Sequence, residues 1–287
     1  MKNFRAYFLL FIAVVALCSC DLAKNNKALI SEAGKALVEE LDQKDGEAGV
    51  CDASAGAAEA DDKLVMQTSP KGTPEQILKR TGYVASYNKT TLLPNWVAWH
   101  LTAERTEGSA KRSGVDFAED TEVPEPRATD WDYYNSGYDR GHMCPAADNK
   151  WSKKAMEESF LFTNMCPQNG NLNRGDWNEM EMACRKWAKK YGDLYIVCGP
   201  ILYKGKHKTI GKNKVVVPEA FFKVVLRTGD DPQAIGFIYK NTSGNRPKDS
   251  YVNTVDEVER ITGIDFFPSL PDDVEKNVEA TADIANW

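Results

Sequence analysis

Tyr138-Asp139-Arg140-Gly141-His142-Met143-Cys144-Pro145 sets an acid, a guanidinium, a glycine and an imidazole at four consecutive positions. The proline at 145 stops a helix from running through, so the stretch reads as an exposed catalytic turn rather than a core strand. Histidine is the side chain whose unperturbed pKa lets it take or give a proton near neutrality. Arg140, two residues away, supplies a planar cation that suits a phosphate or a carboxylate. Taken alone, the stretch is equally a surface turn in which Asp139 and Arg140 pair. The surrounding sequence has to decide.

The chain has 287 residues, enough for one large domain or two small ones, and its 42% hydrophobic content allows a sizeable core. A formal net charge of −6 removes any whole-chain signature of polyanion binding. Local basic sites remain open. Acidic residues crowd 39–62 and 116–125, whereas Lys and Arg gather in 150–154, 185–190 and 204–214.

Lys2 and Arg5 precede an apolar run from Tyr7 to Leu17 that ends in Leu17-Cys18-Ser19-Cys20. A basic end, a short apolar region and small residues at the cut describe a secretory signal, too short for a membrane span. The ending resembles a bacterial lipobox, with Cys20 as the acylated residue; an ordinary signal peptide is the alternative. The expectation is residues 1–20 as a lipoprotein signal peptide and 21–75 as a flexible acidic tether, with a short amphipathic helix over 27–41. That implies a bacterial membrane-anchored lipoprotein, periplasmic or on the cell surface. In an oxidising compartment some of Cys144, Cys166, Cys184 and Cys198 are expected to pair, with Cys51 left over. Sequence does not choose among the three pairings. Zinc is disfavoured because no Cys-x-x-Cys occurs.

Order is expected from about Gly82. Strands are predicted at Tyr83–Tyr87, Trp96–Leu101, Leu194–Cys198, Lys214–Val217, Ala220–Arg227 and Ala234–Tyr239. A long loop from Thr102 to Pro126 carries Arg105, Lys111 and Arg112. A helix is predicted from Trp177 to Tyr191, N-capped by Asp176, ended by Gly192, with Trp177, Met180, Cys184, Trp187, Ala188 and Tyr191 on one apolar stripe. Glu181 sits at the margin of that stripe. Its partner is either Arg185, one turn on, or a metal or its bound water. A second helix spans Val255–Thr262, and the acidic tail 271–287 is uninformative. One α+β domain at 76–287 accounts for the pattern.

Four ordered blocks then carry a resemblance: Asp139-Arg140-Gly141-His142, Thr163-Asn164-Met165-x-Pro167-Gln168, Leu172-Asn173-x-Gly175-x-Trp177, and Glu181 with Arg185. Together with Asn95-Trp96-Val97-Ala98-Trp99 and Val217-Pro218-x-x-Phe221-Phe222-Lys223, they resemble the DNA/RNA non-specific endonucleases over about Tyr83–Gly263. The resemblance implies a ββα-metal (His-Me finger) fold with a mixed or antiparallel sheet flanked by helices. It implies His142 as general base, Asn173 as the one protein ligand of magnesium, with manganese as a substitute, and Glu181 as holder of metal-bound water. Arg140 and Arg185 would bind phosphate, Arg112 rather than Arg105 would be the loop arginine, and Asn164 would shape the site near His142.

The chemistry of the residues agrees. Phosphodiester hydrolysis needs an activated water and charge stabilisation, and contacts to backbone phosphate give little sequence preference. The expected function is metal-dependent cleavage of DNA and RNA to 5′-phosphate products, without a small-molecule cofactor. The rivals are a catalytically silent nucleic-acid-binding lipoprotein, which would tolerate loss of His142, and a small-molecule phosphodiesterase, which needs an enclosed pocket.

Overall fold

The computed structural model describes residues 63–229 and 231–287. The signal segment, Cys20, Cys51, the helix expected over 27–41 and most of the tether lie outside the described residues. The strands are β1 (Gln76–Lys79), β2 (Val84–Asn88), β3 (Leu93–Leu101), β4 (Asp139–His142), β5 (Met165–Gln168), β6 (Leu194–Ile201), β7 (Thr209–Ile210), β8 (Val215–Val216), β9 (Ala220–Arg227), β10 (Gln233–Lys240) and β11 (Val252–Asn253). The principal helices are α1 (Asp130–Tyr133), α2 (Lys153–Glu158), α3 (Asn178–Tyr191), α4 (Val255–Thr262) and α5 (Asp272–Glu279).

Seven strands form one sheet in the order β1-β2-β3-β6-β9-β10-β11. Every pairing in it is antiparallel. Alternation along β9 shows how the sheet divides the core. Phe221 and Val225 face one apolar cluster, with Trp177, Met180 and Cys184 of the α3 side. Phe222, Val224 and Leu226 face another, with Val255 and Val258 of α4 and Val274 and Val278 of α5. Both faces are covered, which is why these strands read as continuous apolar runs.

Residues 63–75, assigned to the tether from composition, pack on the domain instead. Leu64 and Val65 are buried in the α4–α5 cluster, and Thr68 bridges Asp265. The tail is packed as well, because Trp287 lies 5.0 Å from Trp187, ring to ring.

The opening stretch is a strand rather than a free turn. Asp139–His142 pairs antiparallel with Met165–Gln168, and the chain then passes through the turns Gly170–Leu172 and Asn173–Trp177 into α3, giving a β-β-α unit. Gly141 is required there, since a Cβ would lie 2.6 Å from Gln168 Cβ. The turn Asn173–Trp177 is a π-helical segment kinked at Gly175, a form that helices commonly use at functional sites. This kink displaces the expected N-cap. Asp176 instead accepts hydrogen bonds from the amides of Asn245 (2.6 Å) and Arg246 (3.3 Å) and from the Tyr251 hydroxyl, tying down a distant loop.

Candidate active site

His142 ends β4, where Trp177 Nε1 donates to its carbonyl at 3.3 Å. Its ring stands edge-on to Phe160 at 4.9 Å and tilted to Phe117 at 5.6 Å, so two aromatic rings fix its orientation. Nε2 is buried without a hydrogen-bond partner. Burial, and then the Arg112 guanidinium, hold the ring's pKa down at about 3. The imidazole is therefore neutral across the physiological range, and not poised at neutrality as its unperturbed value led us to expect.

Asn164 does not line the cleft. It is fully buried, its Oδ1 accepting from Cys144 N at 2.9 Å while its Nδ2 donates to the carbonyls of Cys144 (2.9 Å) and Ser159 (2.8 Å). The asparagine expected to shape the site near His142 is thus a clamp on the chain that leaves His142.

Asn173 lies in the π-helical turn and lines the cleft. Its Nδ2 donates to Asp139 Oδ2 at 3.1 Å, and Arg174 donates to the same oxygen at 2.7 Å. A carboxylate can only accept, so Asp139 sets the flip of the amide and leaves Oδ1 as the atom able to bind a cation. Glu181 lines the same cleft one helix on. Burial pushes its pKa up to about 7, against the pull of Lys223. An amide oxygen and a carboxylate without an ion-pair partner among the described residues form a donor set that suits a hard divalent cation.

The local pair Glu181–Arg185 does not form. Arg185 donates instead to Asp148 Oδ1 at 2.8 Å, while Trp99 Nε1 donates to Asp148 Oδ2 at 3.1 Å. Arg185 therefore enters the cleft as a cation already fixed by a buried acid. Below it stands Lys223 on β9, only 1% exposed, with its ammonium 4.3 Å from the Trp177 ring and 5.1 Å from the Trp99 ring. Burial works to lower the Lys223 pKa, but nearby Cys198, Cys184, Glu181 and Asp148 raise it overall.

The cleft encloses about 890 Å³ and is lined by Arg112, Arg140, Arg174, Arg185, Lys111 and Lys150, besides His142, Asn173 and Glu181. Arg140 is held by Asp130 at 2.6 Å and lies over the Phe117 ring at 5.3 Å. Arg112 lies over Phe160 at 5.7 Å. Arg105 stands outside the cleft, bonded to the His100 carbonyl and over Trp151. His100 and His207 are also elsewhere, against Asp193 and Glu219.

The expected disulfides are absent among the described residues: Cys144, Cys166, Cys184 and Cys198 are free and buried. Burial pushes the Cys184 thiol up to about 12 and Cys198 up to about 11. Protonated thiols exchange poorly. Sequence reasoning missed Asp139 as orienter of Asn173, Asp148 as anchor of Arg185, and Phe117 against His142. It quoted Lys223 without seeing a role, although a lone lysine in the apolar run Ala220–Arg227 was the available signal.

The sequence profile of the DNA/RNA non-specific endonuclease family matches residues 61–273. A zebrafish (Danio rerio) mitochondrial nuclease EXOG is 39% identical over 206 residues, covering 66% of this chain and 60% of its own. Human mitochondrial endonuclease G is 34% identical over 209 residues, covering 68% and 70%. Nuclease C1 of Cunninghamella echinulata var. echinulata is 36% identical, covering 72% and 88%. The chain thus spans about 60% of the length of the EXOG nucleases it matches. An endonuclease G crystal structure in complex with EndoGI has the same fold, with TM-score 0.65 and 32% identity over 69% of this chain and 87% of that one. These relatives correct the location read from the N-terminus: nucleases described as mitochondrial in vertebrates point away from a bacterial membrane-anchored lipoprotein. With an antiparallel sheet, a β-β-α unit holding His142, Asn173 and Glu181, and a profile match over residues 61–273, the chain belongs to the DNA/RNA non-specific endonuclease family.

Proposed function

We propose that this domain is a magnesium-dependent endonuclease that hydrolyses DNA and RNA with little sequence preference and leaves 5′-phosphate ends. The observation that carries the reading is the convergence on one cleft of a neutral imidazole, an amide oxygen oriented by Asp139, an unpaired carboxylate and several fixed cations. The catalytic unit comprises residues 76–287 with the packed segment 63–75.

Asn173 through Oδ1, and Glu181 through water, are the groups that would hold the ion. Magnesium when bound supplies charge neutralisation at the phosphate and a more acidic water, and it takes few protein ligands. His142 accepts the proton of the attacking water at its ring. A phosphate entering beside Arg112 offsets the charge that depresses the ring's pKa, so basicity rises as substrate binds. Arg112, Arg140 and Arg185 bind phosphate oxygens, and because Asp130 and Asp148 already hold two of them, little side-chain freedom is lost on binding. These contacts address the backbone and not base edges, hence the low sequence preference.

The test is digestion of supercoiled plasmid and single-stranded RNA by wild type and His142→Ala, with magnesium and then with chelator. The expected result is magnesium-dependent loss of both substrates by the wild type, a rate about 10²–10⁴-fold lower in the variant, and products whose ends label only after phosphatase treatment. Undiminished cleavage by His142→Ala overturns the assigned base. Absence of cleavage under every divalent metal favours a binding protein or a small-molecule phosphodiesterase.

A further inference from the structure

We propose that Asp256, Glu259 and Glu279 form a second cation site, for a hard divalent ion of calcium's class, at the seam of α4 and α5. None of the three lines the catalytic cleft. The two helices press Val255, Val258, Val274 and Val278 into the apolar cluster on the other face of the sheet, which brings the three carboxylates together at the edge of that cluster.

One oxygen from each residue lies within 4.8 Å of the others. Oxygens that share a calcium ion at its usual bond lengths can stand no further apart than about 5 Å. Glu279 is only 5% exposed, one of its oxygens belongs to the cluster, and its Oε1 is buried with no hydrogen-bond partner among the described residues. Among the described residues no lysine, arginine or histidine pairs with Asp256, Glu259 or Glu279. The nearest basic residue in sequence, Arg260, is engaged by Glu257 at 2.6 Å.

Glu259 is already oriented, since its Oε1 accepts from Phe266 N at 2.8 Å. Asp256 is exposed and opens the cluster to solvent, which leaves room for the waters that complete a coordination sphere. The other charged groups that act most on Glu279, namely Glu275 and Asp265, are acids too. Burial, then Glu259 and Glu275, hold its carboxyl pKa up at about 9. Three carboxylates from two helices suit calcium, which takes six to eight oxygens in loose geometry, better than magnesium, which retains most of its waters. A bound ion would staple α5 to α4.

The experiment uses the full chain stripped with chelator, carrying Asn173→Ala to weaken binding in the cleft. Calorimetric titration with calcium chloride and thermal unfolding are run in parallel. The expected result is binding of one calcium and a rise in Tm, with affinity at least about tenfold weaker and the rise lost when Glu279→Gln is added. Asp256→Asn, at an exposed position, should weaken calcium binding in the same direction, and it decides the matter if the Glu279 variant fails to fold. Equal binding by all variants, no binding at millimolar calcium, or magnesium bound as tightly as calcium overturns the proposal.

Discussion

Glu181 and Glu279 are both carboxyls withdrawn from water, on opposite faces of one sheet, and both have raised pKa values, at about 7 and about 9. Their surroundings differ. After burial, the largest influence on Glu181 is the Lys223 ammonium, whereas the largest on Glu279 are the acids Glu259, Glu275, Asp256 and Asp265. Burial opposes ionisation at both sites, and the neighbours determine how far. Near the cleft a lysine fixed between two tryptophans keeps a carboxylate available at neutral pH. At the α4–α5 seam no such cation is present among the described residues.

The strongest way to break this contrast is Lys223→Met. Removing one sign from a buried charged group should lower stability by about 3 kcal/mol in urea unfolding and drive Glu181 towards the protonated state of Glu279. Unchanged stability and an unchanged pH profile of activity would mean that Lys223 is only packing. Asp139→Ala comes next. It frees the Asn173 amide to flip, so the magnesium concentration for half-maximal cleavage should rise about 10–100-fold while unfolding is little altered. A fall confined to kcat, with the metal requirement unmoved, would remove Asp139 from the orienting role.

Asp176 tests the opposite electrostatic case on the cleft side. Burial works to raise its pKa, but hydrogen bonds from Tyr251 and the amides of Asn245 and Arg246 prevail and lower it. A carboxyl depressed in the folded state adds stability above its unfolded pKa and loses it as pH falls through the folded one. Asp176→Asn should therefore cost about 1–2 kcal/mol at pH 7, with the difference from wild type shrinking below about pH 4. A constant difference across pH 2–7 would show that only shape matters there. The smallest effect is expected from Glu279→Gln. In chelator, replacing a buried acid that faces acids should raise stability by about 1 kcal/mol, the reverse sign to Lys223→Met.

Local features were legible from residues alone. The apolar stripe of α3 and its end at Gly192, the extent of Ala220–Arg227, and the stop of α4 at Gly263 follow from periodicity and backbone freedom. The positions of His142, Asn173, Glu181, Arg140, Arg185 and Arg112 were all named in advance, and the fold brings these six to one cleft. What went unread was pairing. Spacing offered Glu181 either Arg185, four residues on, or a metal or its bound water, and Arg185 belongs to Asp148, 37 positions earlier. Asp176 looked like a cap and holds a loop some 70 positions on. The acidic tail looked uninformative because Glu279 meets Asp256 and Glu259 only once α5 folds back over α4.

The sequence by itself determined the long strands of the main sheet and the helices α3 and α4, since helix and strand periods are local properties of the chain, and its resemblance to a family named the candidate site residues. Only the tertiary structure decided the state of those side chains: a neutral His142, a Glu181 balanced by Lys223, an Asn164 withdrawn from the cleft, free cysteines and three carboxylates gathered at the α4–α5 seam. Charge and hydrogen-bonding capacity depend on burial and on partners supplied from remote positions, and these exist only after the chain has closed on itself.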